Sequence, residues 1–433
     1  STVLHQSEWA LIDAYMPIVS PAGVQEILDY GLYGYALSRF AGLWVGLKTM
    51  KDTIEATAVV DGQPDRMQFV TPQFAMPEGG LNIRLADTPH AQEARMIDYK
   101  RFAAEAFSRA NGMDKRVHGK PGAKIGFVSA GKNWLDLVHA MSLLGLDEDA
   151  CERVGITTYK VGQTFPLDMQ GFHDWAEGLD LIVVVEEKRK LIEIQIKEAL
   201  FDDNRYRVYG WYKGGAGGIH REELFPTRGA LDPVWIARKL GEILIEEGRG
   251  TDRVKAGLQQ IEEAEKADNT QDVAARLPYF CSGCPHNTST KVPEGARAYA
   301  GIGCHYMVQW MDRETLGFTH MGGEGANWIG EAPFSTRKHV FQNLGDGTYN
   351  HSGVQAIRAA LAQGTSITYK ILYNDAVAMT GGQKNEGGLS PQRIVAELRA
   401  MGVAHVFVVH DEKEPVERSD FPREVEIHER AEM

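Results

Sequence analysis

The segment that decides the fold reads His339-Val340-Phe341-Gln342-Asn343-Leu344-Gly345-Asp346-Gly347. Its apolar start predicts a strand, which ends at Gly345-Asp346-Gly347, hereafter the GDG turn. A helix is expected at residues 352–363, and a second strand at 367–373 leads to Asn374. Strand, helix and strand in this order form a unit whose two strands are parallel, with their carboxyl ends at one edge. We therefore expect Asp346 and Asn374 to face the same point.

The side chains expected at this edge suit a metal ion and a diphosphate. The oxygens of Asp346 and Asn374 are hard ligands of the kind that Mg²⁺ takes, and Mg²⁺ recruits phosphate oxygens. Gly345 and Gly347 let the backbone approach phosphates, and the helix start offers free N–H groups. The simpler alternative is an ordinary turn, since Gly and Asp are common turn residues. The strand–helix–strand context and the distance to Asn374 favour a metal-bridged diphosphate site.

The GDG turn followed by Asn374 resembles the thiamine diphosphate motif, and the residues after Asn374 indicate a particular family. They read Ala376-Val377-Ala378-Met379-Thr380-Gly381-Gly382-Gln383, which resembles the 2-oxoacid:ferredoxin oxidoreductases. The resemblance implies thiamine diphosphate and Mg²⁺ as cofactors. It also implies that Asp346, Asn374 and the backbone carbonyl of Ala376 are the protein ligands of the metal.

Composition limits the kinds of protein that this chain can be. It has 433 residues, a formal net charge of −13 and 43% hydrophobic residues, which suits two or three domains with full cores. The negative charge argues against nucleic acid or an anionic membrane as a partner. No stretch reaches 18 uninterrupted apolar residues, and the first residues lack the basic and apolar regions of a signal peptide. We therefore expect a cytoplasmic protein without a membrane span.

Three of the four cysteines lie close together in the sequence, at Cys281, Cys284 and Cys304. Without an export signal, clustered thiols indicate a metal site more than a disulfide. Three thiolates and a fourth ligand can hold an iron–sulfur cluster, or a zinc ion together with His286 or His305. The resemblance favours a 4Fe–4S cluster on the three cysteines, with the fourth ligand outside this chain.

The middle of the chain predicts a parallel sheet, because short apolar runs alternate with helical segments from Lys124 onward. Leu181-Ile182-Val183-Val184-Val185 is expected as a buried strand, and residues 406–411 as another. Residues 213–218 are Gly-rich but are not followed directly by a helix, so we interpret them as a flexible loop rather than a phosphate loop.

The expected fold class is α/β, with thiamine diphosphate-binding parallel-sheet domains plus a transketolase C-terminal-like domain. The resemblance implies the following division: the end of a pyrimidine-binding domain at 1–75, a linker at 76–122, the transketolase C-terminal-like domain at 123–250, a helical linker at 251–275, and the diphosphate-binding domain with the cysteines at 276–433.

Within the family, the sequence most resembles the bacterial indolepyruvate ferredoxin oxidoreductases, at residues 20–31, 280–290, 301–307 and 321–330. This resemblance implies oxidative decarboxylation of an aryl 2-oxoacid, such as indolepyruvate, to an acyl-CoA and CO₂. Electrons would pass through the iron–sulfur cluster to ferredoxin. Coenzyme A, ferredoxin, and further copies or subunits are the implied partners. The Glu that activates the aminopyrimidine is expected outside this chain.

His286, His305 and Glu324 are candidate catalytic residues, and Gly323 and Gly325 are candidate cofactor-binding residues. The histidines, with the neighbouring candidate His320, could contact a substrate carboxylate or a phosphate, although a single His is more often structural. Glu324 could reach a ligand from between its glycines or lie in a surface turn. Two other functions stay open: a non-oxidative thiamine diphosphate-dependent decarboxylase or transferase, and a zinc-binding scaffold subunit.

Overall fold

A computed structural model describes residues 6–63, 65–203, 205–214, 222–268 and 277–432. The chain forms two compact units, Ser1–Asn269 and Thr270–Met433. The finer division at 75, 122, 250 and 275 stays a prediction. Most of the Gly-rich segment at 213–218 lies outside the described residues.

The first unit is built around a five-stranded sheet in which one inner strand is apolar at every position. This strand, Leu181–Val185, is buried along its whole length. Alternate side chains of a strand point to opposite faces. Accordingly, Leu181, Val183 and Val185 belong to one hydrophobic cluster, whereas Ile182 and Val184 belong to another. Both faces are covered, which explains why the strand is a continuous apolar run rather than an alternating one.

The neighbouring strands of this sheet are parallel, except for an antiparallel pair at one edge. In spatial order the strands are Lys115–Arg116, Ile156–Val161, Ile125–Ala130, Leu181–Val185 and Arg207–Tyr209. A smaller sheet contains Gly46–Leu47, Ile18–Val19 and Gln163–Phe165. The helices of this unit are Glu8–Asp13, Val24–Ala41, Lys51–Ile54, Pro89–Arg95, the π-helix Met96–Lys100, Arg101–Ala110, Gly131–Leu143, Glu148–Val154, Met169–Ala176, Ile192–Ala199, Pro233–Glu246 and Asp252–Ala267.

The second unit contains a four-stranded parallel sheet that carries the GDG turn. Its strands, in spatial order, are Thr315–Phe318, Ala298–Ala300, Val340–Gly345 and Ile367–Leu372. Two short pairs lie outside this sheet: Ala376–Val377 with Gln383–Lys384, and Phe407–His410 with Glu426–Glu429. The helical segments are His286–Ser289, Cys304–Trp310, Ala326–Glu331, Ala332–Phe334, Asp346–Thr348, Tyr349–Gly353, Val354–Ala362, Pro391–Ala400, Arg418–Asp420 and Arg430–Glu432.

Two sequence-based expectations for the second unit were wrong in detail. The helix after the GDG turn begins at Asp346 rather than residue 352, because the turn residues themselves form its first turn. The strand expected to be buried at 406–411 is Phe407–His410, which alternates between exposed and half-buried positions. It pairs with Glu426–Glu429, from the charged segment near the end of the chain, instead of joining the main sheet.

The expected α/β fold class with parallel sheets is confirmed. No helix in the described ranges combines the length and apolar character needed to cross a membrane.

Candidate cofactor site

The register of two strands brings Asp346 and Asn374 to the same edge of the second unit's sheet. Val340–Gly345 and Ile367–Leu372 pair in parallel, and Gly345 lies opposite Leu372. Asp346 therefore follows one strand by a single residue, and Asn374 follows its neighbour by two. The Oδ2 atom of Asp346 accepts the backbone N–H of Asp375 at 2.9 Å. The two segments thus meet at the point that the sequence predicted.

The donor atoms at this edge are oxygens with different degrees of burial. The Asp346 side chain is 4% exposed, whereas Asn374 is exposed. Asn374 Oδ1 accepts the backbone N–H of Ala376 at 3.1 Å, and an amide oxygen retains a second lone pair. A carboxylate, an amide oxygen and the Ala376 carbonyl form the all-oxygen donor set that suits Mg²⁺.

The two glycines of the turn leave room beside the backbone. A methyl group at Gly345 would lie 3.5 Å from His305 Cε1, and one at Gly347 would lie 3.9 Å from Asn385 Oδ1, which are ordinary contacts. Neither glycine has a positive φ. Packing and backbone conformation therefore do not require glycine here, whereas close approach of a phosphate would. The residues present fit a metal-bound diphosphate.

Two buried polar side chains and the backbone of the buried residue Asn343 lie close to Gly301, next to the GDG strand. A methyl group at Gly301 would lie 2.5 Å from the Asn343 carbonyl oxygen, 2.6 Å from His305 Nε2 and 3.3 Å from Glu324 Cγ. His305 Nε2, Glu324 Oε1 and both side-chain polar atoms of Asn343 lack hydrogen-bond partners among the described residues. Buried polar atoms without partners are uncommon and call for a bound group or water. Asn343 was not predicted from the sequence, because a polar residue inside an apolar run gives no indication of where it points.

His305 is buried beside a second histidine. It is 3% exposed, and its ring centre is 5.9 Å from that of His286. Burial, and then the neighbouring His286, lower the pKa of His305 to about 3. Burial also lowers the pKa of His286. His305 is therefore neutral at physiological pH, and the structure brings the two predicted histidines together.

Glu324 is buried, so the interpretation as a surface turn was wrong, and its contact with a ligand stays a prediction. It is 0% exposed, and its Oε2 accepts the backbone N–H of Gly322 at 2.6 Å. Burial raises the pKa of Glu324, while the backbone N–H groups of Glu324, Gly322 and Ile302 oppose that increase. The carboxylate thus ties together the loops at 301–303 and 320–325. His320, from the second of these loops, is exposed.

The structure explains why Glu324 is flanked by glycines. Gly325 has a φ of +91°, and a methyl group there would overlap the hydroxyl of Tyr369. Tyr369 donates that hydroxyl to the Glu324 carbonyl at 3.2 Å. A methyl group at Gly323 would lie 3.1 Å from His320 Cε1, which is a tight contact. Their predicted role in cofactor binding stays a prediction.

The three clustered cysteines have free thiols in the second unit. Cys281 is exposed, and Cys284 and Cys304 are half-buried. Burial raises the pKa of Cys304, and the nearby thiols of Cys284 and Cys281 raise it further. Across the ranges that the structure describes, no three His, Cys, Asp or Glu side chains form a group that could hold a metal ion. The arrangement therefore does not fit a preformed cluster site.

Comparison with known proteins places this geometry in a family context. Residues 115–268 match the family model described as "Indolepyruvate oxidoreductase domain". Residues 301–419 match the model "Thiamine pyrophosphate enzyme, C-terminal TPP binding domain", and this match spans the GDG turn. The resemblance to indolepyruvate oxidoreductases is confirmed. Thiamine diphosphate is the cofactor that the second match supports, whereas Cys281, Cys284 and His286 lie outside both matches.

Curated relatives extend the same similarity along the chain. The chain is 27% identical to "Indolepyruvate oxidoreductase subunit IorA" of Pyrococcus horikoshii, over 95% of this chain and 65% of the relative. The protein of the same name from Pyrococcus abyssi is also 27% identical, with the same coverage. The chain thus spans about two thirds of the length of these relatives. Both are archaeal, so the bacterial part of the resemblance remains untested.

A solved structure also shows weak similarity. It is the 2-oxoglutarate:ferredoxin oxidoreductase from Magnetococcus marinus, with a TM-score of 0.31 and 12% identity over 52% of this chain and 42% of that chain. A similarity this low supports no conclusion about fold or function.

Proposed function

We propose that this chain is the diphosphate-binding part of a thiamine diphosphate-dependent 2-oxoacid:ferredoxin oxidoreductase that acts on aryl 2-oxoacids such as indolepyruvate. The observation that carries the proposal is the meeting of Asp346 with the segment after Asn374, within a region that matches a thiamine diphosphate-binding domain. The 2-oxoacid and coenzyme A are consumed, CO₂ and an acyl-CoA are released, and the electron pair passes to ferredoxin.

The chain's own residues bind and orient the reactants. When bound, thiamine diphosphate supplies the carbon nucleophile and the electron sink for decarboxylation. Asp346, Asn374 and the Ala376 carbonyl would hold Mg²⁺ against the diphosphate. Gly345 and Gly347 would admit the phosphates to the backbone, where the N–H groups of the helix start face them.

His305, His286 and Glu324 are proposed to serve the substrate side of the site. Because His305 is neutral and buried, it can donate or accept one hydrogen bond but cannot act as a fixed positive charge. The Glu324 carboxylate already binds Gly322, so its contribution would be to hold the two loops in place around the reacting groups.

The iron–sulfur cluster on Cys281, Cys284 and Cys304 is proposed separately, and no step of the reaction is derived from it. The thiols lie near one another but would have to rearrange to bind a metal. Iron and acid-labile sulfide in anaerobically purified protein would support the cluster. Zinc in their place would support the scaffold alternative.

The proposed partners follow from the chemistry of the reaction. Coenzyme A would accept the acyl group, and ferredoxin would accept the electrons. The relatives are named as subunits, which supports assembly with a further polypeptide or further copies, and a cytoplasmic location would suit these partners.

Calorimetric titration with thiamine diphosphate, with and without Mg²⁺, tests the cofactor assignment. We expect binding by the wild-type chain to require Mg²⁺ and to weaken by about tenfold or more in Asp346→Asn, because the metal loses its anionic ligand. Asp375→Asn is the matched control. It removes the same charge from an exposed side chain in the segment that Asp346 contacts, and Asn tolerates the positive φ at that position.

The cofactor assignment would be contradicted if the wild type bound thiamine diphosphate equally well without Mg²⁺. It would also be contradicted if the two variants lost the same amount of affinity. Decarboxylation of indolepyruvate without ferredoxin and coenzyme A would instead favour the non-oxidative alternative.

A further inference from the structure

The helix that follows the GDG turn contains an irregular segment. Asp346–Thr348 is α-helical, Tyr349–Gly353 is a π-helix, and Val354–Ala362 returns to α-helical geometry. Single π-turns are rare and occur often at functional sites, because they change the direction of side chains that a regular helix would place elsewhere. The polar residues of this segment include His351 and Ser352, which the sequence did not indicate as site residues.

His351 and Ser352 form a close pair. Ser352 Oγ lies 2.6 Å from His351 Nδ1, and this hydroxyl forms no other hydrogen bond with the described residues. If the hydroxyl donates to Nδ1, the ring proton lies on Nε2. With this direction, Nε2 is a hydrogen-bond donor.

The pair lies at the edge of the sheet where the cofactor is proposed to bind. A methyl group at Gly322 would overlap Ser352 Oγ, so the loop at 320–325 packs directly on this residue. That loop follows Thr315–Phe318 and the GDG turn follows Val340–Gly345, and both strands belong to one parallel sheet. His351 is exposed, and helical side chains lean toward the N-terminus of their helix. This tendency favours an imidazole on the GDG side of the helix.

A buried carboxylate beneath the pair completes the environment. Glu324 is 0% exposed, and its Oε1 has no partner in the part of the chain that the structure describes. Burial raises the pKa of Glu324, and the neighbouring His351 opposes this increase. An anionic ligand at this edge can therefore reach the exposed imidazole of His351, whereas the Glu324 carboxylate is buried.

We infer that His351 binds the carboxylate of the 2-oxoacid through its Nε2–H, and that Ser352 is a positioning residue that orients the imidazole. The cofactor diphosphate has the same anionic-oxygen chemistry, but the metal ligands and the helix N–H groups already serve it. This inference rests on the proposed function, because it assigns the substrate contact of the same site.

Calorimetric titration of the chain loaded with thiamine diphosphate and Mg²⁺ tests this assignment. The probe is indole-3-lactate, which carries the carboxylate of the substrate but has no ketone to react. We expect His351→Asn to weaken its binding by about tenfold or more, as for loss of a hydrogen bond to a charged group. His351→Gln, whose amide N–H can reach the Nε2 position, should restore most of the affinity. His405→Asn is the matched control, since His405 is an exposed histidine of the same unit.

Ser352→Ala should weaken binding of indole-3-lactate by about threefold, because the imidazole loses its fixed orientation. The ¹⁵N signals of His351 report directly on the tautomer, which a merely structural role of Ser352 would not change. We expect the Nε2–H form in the wild type and a mixture of tautomers in Ser352→Ala.

The other outcomes separate the possible failures. If His351→Asn weakens thiamine diphosphate and leaves indole-3-lactate unaffected, the anionic partner is the diphosphate and the substrate assignment is wrong. If the cofactor binds normally but wild type, His351→Asn and His405→Asn bind indole-3-lactate alike, or none binds it, only this inference fails. If the wild-type chain does not bind thiamine diphosphate with Mg²⁺, the proposed function fails together with it.

Discussion

Replacing Glu186 by Gln should change how the stability of the first unit depends on pH. Glu186 directly follows the buried strand Leu181–Val185 and is 8% exposed. Its two carboxylate oxygens accept the backbone N–H groups of Ile192 and Glu193, each at 2.9 Å, at the start of the helix Ile192–Ala199. Burial raises the pKa of Glu186 from 4.5 to about 7, the N–H groups oppose this, and the charge of Glu193 adds to it.

The sign and size of the effect follow from this shift. The pKa is higher in the folded state than in the unfolded state, so the folded state binds the extra proton between the two values. The stabilisation is complete below pH 4.5 and is lost as the pH rises through about 7. Each pH unit between the two pKa values is worth about 1.4 kcal/mol, so the titration of Glu186 changes the free energy of unfolding by about 3 kcal/mol. Gln cannot titrate, so Glu186→Gln removes this dependence.

Hydrogen exchange of peptides from Leu181–Val185 at increasing urea concentration measures the free energy of unfolding of this unit without interference from the other. Between about pH 4.5 and about pH 8, the difference between Glu186→Gln and wild type should move by about 3 kcal/mol in favour of Gln. Glu198→Gln, on an exposed position of the same helix, serves as the control. A difference that stays constant over this range, or moves the opposite way, would refute the reasoning.

Two further predictions concern packing and thiol reactivity. Gly325→Ala should destabilise the second unit by about 2–4 kcal/mol, because it combines a left-handed backbone with an overlap on the Tyr369 hydroxyl. Adding Tyr369→Phe should recover part of this loss in the same exchange measurement, and no recovery would show that the overlap is not the cause. Iodoacetamide at about pH 8 should label Cys281, which is exposed, and spare Cys151, whose pKa burial raises to about 12. Labelling of both at equal rates in the native protein, read by peptide mass spectrometry, would contradict the described burial.

The location of the candidate site could be predicted from the sequence because it depends mainly on connectivity. Parallel strands joined by a helix must end at the same edge, so the positions of Asp346 and Asn374 followed from the order of apolar and helical segments. The strand Leu181–Val185 was also predicted with its observed bounds, since a five-residue apolar run covered on both faces leaves few alternatives.

Other features depend on residues that are distant in the sequence. The burial of Glu324 results from its contacts with Gly322 and with the loop at 301–303, which the flanking glycines could not reveal. The strand at Phe407–His410 is half-exposed because its partner is the later segment Glu426–Glu429 and not the main sheet.

The sequence by itself determined the α/β class and the parallel order around the GDG turn, because these depend on local periodicity and on the handedness of short connections. Only the tertiary structure decided which polar side chains are buried together and which way they point. The approach of His351 and Ser352 to the loop at 320–325 shows the reason: it depends on a π-turn and on packing between separate segments, and neither leaves a periodic pattern in the sequence.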